Sequence, residues 1–116
     1  MLMYNYKIRK KGVKNMKSMY ITIVGTNHYY GDDFLKKDMI VKLKKDPKNI
    51  YDKEAIAVKM KPLGTIGYVA NSMHTVIGET ISAGRLYDHM KKTAKAKIIF
   101  KTNKGIIAKV YQKDMK

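Results

Sequence analysis

From residue 94 onward the chain alternates apolar and cationic side chains with a period of two. Ala94, Ala96, Ile98 and Phe100 fall on one side, and Lys95, Lys97 and Lys101 on the other. A helix would scatter these residues around its circumference, whereas a strand sorts them onto two faces. Thr102-Asn103-Lys104-Gly105 then supplies turn residues before a second apolar run over 106–111. The segment therefore predicts a β-hairpin.

Other stretches share this character. Tyr20-Ile21-Thr22-Ile23-Val24 is rich in β-branched and aromatic residues and stops at Gly25. Residues 39–44 place Met39, Val41 and Leu43 on one face and Lys42 and Lys44 on the other. Residues 54–60 do likewise with Ile56, Val58 and Met60, and Lys61-Pro62-Leu63-Gly64 is a turn signal before a strand over 65–69. A helix is predicted next. Asn71 or Ser72 can cap it, Met73, Val76, Ile77 and Ile81 recur at helical spacing, and Gly84 suits a left-handed stop. The sum is a mostly β chain with one short α-helix and about six strands, a pattern suited to a small closed or nearly closed β-barrel. Residues 1–18 show neither pattern and are expected to form a flexible basic arm, leaving 19–116 as the domain. Met16 and Met19 stand just before the first strand and are candidate translation starts.

The 116 residues fit one domain, and 45% of them are hydrophobic, enough for a globular core. With no cysteine, a disulfide scaffold, a thiolate zinc site and a thiol nucleophile are excluded. No apolar run approaches the ~18–20 residues of a membrane span, and no signal peptide is evident. A soluble cytoplasmic protein with no membrane partner is expected. The net charge of +16 favours polyanions, nucleic acid first among them. It is unevenly placed. Lys7, Arg9, Lys10, Lys11, Lys14 and Lys17 precede any acid, whereas six of the nine acids fall between Asp32 and Glu54.

Catalytic constellations are missing. His28, His74 and His89 lack metal-ligand spacing, there is no phosphate loop or nucleophile elbow, and Asp32-Asp33 after Gly31 reads as a turn. Neither a metal nor a cofactor is expected. The richer grouping is polar and aromatic. His28-Tyr29-Tyr30-Gly31 follows the first strand, and Asp46-Pro47-Lys48-Asn49-Ile50-Tyr51-Asp52 separates the second from the third. Tyrosine offers a face on which a base stacks, worth ~1–3 kcal/mol. A neighbouring aspartate repels phosphate but accepts hydrogen bonds from a hydroxyl or a base N–H. The same residues also suit a plainer role: Tyr29 and Tyr51 as half-buried barrel edges, with Asn49 and Asp52 bonding their own turn.

Residues 20–81 resemble the HIRAN domain. The similarity rests on the strand ending at Gly25, the His28-Tyr29-Tyr30 stretch, the run from Asp46 through Asn49, Tyr51 and Asp52 to Ala55-Ile56-Ala57-Val58, and Gly64-Thr65-Ile66-Gly67-Tyr68-Val69. The resemblance implies an OB-like β-barrel that captures the 3′-hydroxyl end of single-stranded DNA. Tyr29 and Tyr51 would stack on the terminal bases, Asp52 would accept from the 3′-hydroxyl, and Asn49 would hold the loop or the backbone. Tyr30 belongs to the same surface. The chain departs from the family pattern at three positions. His28 replaces an arginine, Tyr68 a histidine, and Asn71 a phosphate-contacting lysine. Lys95, Lys97 and Lys101 are candidates to supply phosphate contacts instead.

The function expected is a non-enzymatic module for single-stranded DNA ends, acting with a helicase or nuclease partner. The competing readings are an RNA-binding barrel and a protein-interaction domain whose pocket has drifted.

Overall fold

The structure, a computed structural model, describes residues 19–116. Alternating apolar and polar residues build six strands: β1 (Met19–Val24), β2 (Ile40–Lys45), β3 (Ile56–Met60), β4 (Gly64–Val69), β5 (Thr93–Thr102) and β6 (Gly105–Val110). All pairs are antiparallel, and they close a barrel in the order β1-β4-β3-β2-β5-β6. Closure leaves no free sheet edge. The fold is the one expected. The basic arm expected over residues 1–18 lies outside the described residues. Among the described residues, no helix is long and apolar enough to cross a membrane.

Large and small side chains share the interior. Leu43 pairs with Ala94, Val41 with Ala96, and Ile21 and Ile98 both with Ala108. All are buried and belong to one core cluster. An isoleucine or leucine buried this way contributes ~1.5–3 kcal/mol, and the alanines make room for it inside a narrow barrel.

The helix expected after residue 71 is not there. Ser72 ends the path instead: its Oγ accepts from His74 N, and its carbonyl accepts from Thr75 N and Val76 N, making a single turn. Gly78 then takes φ +55, and Ile81 N reaches the Tyr20 carbonyl at 2.8 Å. Thr75, Val76, Ile77, Thr80 and Ile81 are β-branched, which disfavours helix. Their apolar spacing instead folds the segment over β1. Met73, expected on the apolar face, is 85% exposed. The only α-helix among the described residues, α1, spans Ala83–Tyr87. Ser82 caps it by accepting from Arg85 N, so Gly84 lies inside the helix rather than at its stop.

The C-terminal alternation also breaks once. A bulge between Ile98 and Phe100 lets Phe100 pair with Ile107, turning its ring outward to 53% exposure. Lys101 consequently pairs with the core residue Ile106, off the face that holds Lys95 and Lys97, and its Nζ donates to the Asp32 carbonyl at 2.8 Å.

β1 and β4 meet closely at Gly67, where an added Cβ would lie 2.8 Å from the Val24 carbonyl oxygen. Gly67→Ala therefore strains the barrel seam. Urea denaturation is expected to show a loss of ~1–3 kcal/mol with the m-value unchanged; unaltered stability would mean the seam is loose.

Candidate nucleic-acid interface

Two loops and one strand assemble the surface. A 3-10 turn at Thr26–His28 follows β1, closed by Tyr29 N and Gly31 N both donating to the Thr26 carbonyl at 2.9 Å. It presents His28, Tyr29 and Tyr30, all exposed. Tyr30 is tethered by its hydroxyl to the Leu63 carbonyl at 3.2 Å. Tyr29, 43% exposed, leans on Tyr68 of β4, with ring centroids 6.4 Å apart and planes tilted by 37°. That spacing is a favourable aromatic contact.

The loop between β2 and β3 is held by its own polar side chains. Asp46 N bonds the Ala55 carbonyl at 2.8 Å and closes the loop's base. Asn49 organises the tip: its Oδ1 accepts from Tyr51 N at 2.9 Å and Asp52 N at 3.1 Å, while its Nδ2 donates to Asp46 Oδ2 at 3.3 Å. The plainer role weighed for Asn49 thus holds for its side chain. Tyr51 is no barrel edge. It stands 90% exposed.

Asp52 is half-buried and fixed from two sides. Oδ1 accepts from Glu54 N at 2.9 Å, and Oδ2 accepts from Asn71 Nδ2 at 2.7 Å. Asn71 is itself anchored, because its Oδ1 accepts from Gly84 N of α1 at 2.7 Å. A carboxylate offers about four acceptor positions, so Asp52 retains capacity for a donor from outside. One further contact braces the site. Lys45 places its ammonium 4.6 Å from the Tyr87 ring centroid, tying β2 to α1. Burial, then the nearby Lys116, hold this lysine below its usual pKa, with Asp88 acting against them.

Asp46 is a member of the site that sequence reasoning passed over. Its Oδ2 accepts from the Tyr68 hydroxyl at 3.0 Å and so links β4 to the loop. The available signal was the Asp-Pro start with asparagine three residues later, which marks a side-chain-stabilised turn. Lys95 and Lys97 are not brought to this surface. They sit on β5, which lies three strands from β4 in either direction around the barrel.

Comparisons with known proteins give the family and the fold. The family model described as the HIRAN domain matches residues 16–113. The chain belongs to the HIRAN domain family. Membership places it among DNA-binding modules and not among catalytic domains, so nucleic-acid binding is its general function. The crystal structure of the HIRAN domain of human HLTF is similar at 22% identity and a TM-score of 0.53, covering 80% of this chain and 70% of that one. No curated protein matches. Among the described residues of this HIRAN domain, no group of three acids or histidines could hold a metal ion.

Burial, then the hydrogen bond to Asp46, push the Tyr68 phenol up to about 12. A raised phenol pKa means the fold favours the neutral form. That stabilisation is complete below pH ~10, the ordinary tyrosine value, and is lost as pH rises through about 12. An ultraviolet titration of the folded protein is expected to show a late phenol step near pH 12, and Tyr68→Phe to remove it. A Tyr68→Phe protein with the late step intact would contradict the assignment.

Proposed function

We propose that this HIRAN domain captures the 3′-hydroxyl end of single-stranded DNA as a non-enzymatic binding module. The observation that carries the reading is the tethered carboxylate of Asp52 beside the projecting ring of Tyr51. A fixed carboxylate repels the phosphates of a continuous strand, yet it accepts from a terminal hydroxyl, after which no phosphate follows. Tyr51 and Tyr29 supply stacking faces for the last bases, while Tyr30 and His28 border them.

Asn71 gives the site its chemistry. Where the family pattern has a lysine, this chain has a neutral amide that holds Asp52 in place. The pocket therefore selects for a hydroxyl donor and contributes little attraction for the backbone. A helicase or nuclease acting on the held end is the partner that such a module serves.

Fluorescence anisotropy at ~150 mM salt tests this with one strand ending either in a 3′-hydroxyl or in a 3′-phosphate. The hydroxyl end is expected to bind more tightly. Asp52→Ala should abolish that preference, and Tyr51→Ala should weaken both ligands on the order of 10-fold through lost stacking. Equal binding of the two ends by the unaltered protein would overturn the reading. Equal binding of matched RNA would make RNA a ligand as well.

A further inference from the structure

The barrel's outer surface carries a second feature, built on strand faces rather than on the loops that hold Asp52 and Tyr29. On the side formed by β3, β2, β5 and β6, lysines face one another across strands. Lys42 of β2 is directly opposite Lys59 of β3 on one edge and Lys95 of β5 on the other. One step along, Lys97 of β5 is opposite Lys109 of β6. Directly opposed residues stand only ~4.5–5.5 Å apart at Cβ, and like charges there are destabilising. Acids could occupy half of these positions and would stabilise the sheet. None does.

No ion pair within the described chain neutralises this array. Among the described residues, none of the five ammonium groups has a carboxylate partner. Two acids share the grooves of the five lysines, Asp38 with Lys97 and Lys109 and Asp114 with Lys42, Lys59 and Lys95, and Asp114 spends its Oδ2 on the Lys95 backbone N–H at 2.8 Å. Aromatic surface adjoins the charge. Tyr20, 39% exposed, is opposite Lys109, and the half-buried Tyr111 lines a shallow groove with Tyr20, Asp38, Lys97 and Lys109. A net-positive groove with accessible tyrosine surface is an arrangement that holds single strands without regard to sequence.

We infer that this face is a second binding surface, one that holds the phosphate backbone of single-stranded nucleic acid and requires no strand end. β5 lies opposite β4 in the closed barrel, so a strand on this face need not enter the pocket of Tyr68 and Asp52. The inference stands whether or not that pocket captures ends.

Circular single-stranded DNA separates the two surfaces, because it has no terminus. The full chain is expected to bind it, with affinity falling steeply between about 50 and 200 mM salt. Replacing Lys42, Lys95, Lys97 and Lys109 together by glutamine should lower the slope of log affinity against log salt by about 3, from ~0.7 per lost phosphate contact on single strands. Both proteins carry the same residues 1–18, so the difference isolates this face. The double variant Lys42→Gln/Lys95→Gln should show about half the change. Thermal unfolding should rise or hold steady in both, since each relieves like-charge opposition. On a linear strand, preference for a 3′-hydroxyl over a 3′-phosphate should survive the four substitutions. An unchanged salt slope in the folded variants, or no binding of the circle at low salt, would overturn the inference.

Discussion

Closing six short strands into a barrel requires β1 to pair along both edges, and it achieves this fully only with β6. Five residue pairs join β1 to β6, from Met19↔Val110 to Ile23↔Ile106, whereas β4 reaches only Ile23 and Val24. The rest of that edge would expose backbone groups to no partner. The chain after β4 fills the gap: Ala70 N bonds the Thr22 carbonyl and Ile81 N bonds the Tyr20 carbonyl, each at 2.8 Å. The buried Thr22 hydroxyl completes the join by accepting from Ile77 N and meeting Thr80 Oγ1. Sealing the barrel therefore dictates where residues 70–83 run.

That path has a consequence for function. It delivers Asn71 to the loop between β2 and β3 and leads into α1, whose Gly84 N–H holds the Asn71 amide. Space there is tight. A Cβ on Gly84 would lie 2.6 Å from Glu54 Oε1 and 3.2 Å from Asn71 Oδ1, so a side chain there would displace the exposed Glu54 carboxylate and press on the Asn71 amide. From Tyr68 through Asp46 and Asn49 to the Asp52 backbone, and from the Asp52 carboxylate through Asn71 to α1, each polar group is positioned by the next. Side chains locked in this way hold a binding geometry without paying much ordering entropy when a ligand arrives.

The strands were legible because one face of each is buried and a period of two survives in the text. Val41, Leu43, Ile56, Val58, Ala94, Ala96 and Ile98 all point inward as the alternation indicates. The loop residues were legible for a different reason, since Asn49 and Asp52 suit side-chain-stabilised turns and Tyr51 has no apolar neighbours in register. Residues 71–84 were misread because apolar spacing cannot distinguish a helix from a segment that seals a β seam. The β-branched content and Gly78 favoured the latter. The bulge at Phe100 left no mark, being a property of pairing with β6 rather than of β5 itself. The Asn71 anchor was equally hidden, as it depends on a helix that begins only after Ser82.

The central claim is that Asp52, positioned by Asn71, accepts a hydrogen bond from a strand's terminal hydroxyl. Amide nitrogen–proton NMR reads it at the atoms concerned, by following the Asn71 side-chain amide and the Tyr51 and Asp52 backbone amides. A dinucleotide with a free 3′-hydroxyl should shift all three, and its 3′-phosphorylated counterpart should leave the Asn71 amide in place. Shifts confined to β5 and β6, with the Asn71 amide unmoved by either ligand, would contradict the account.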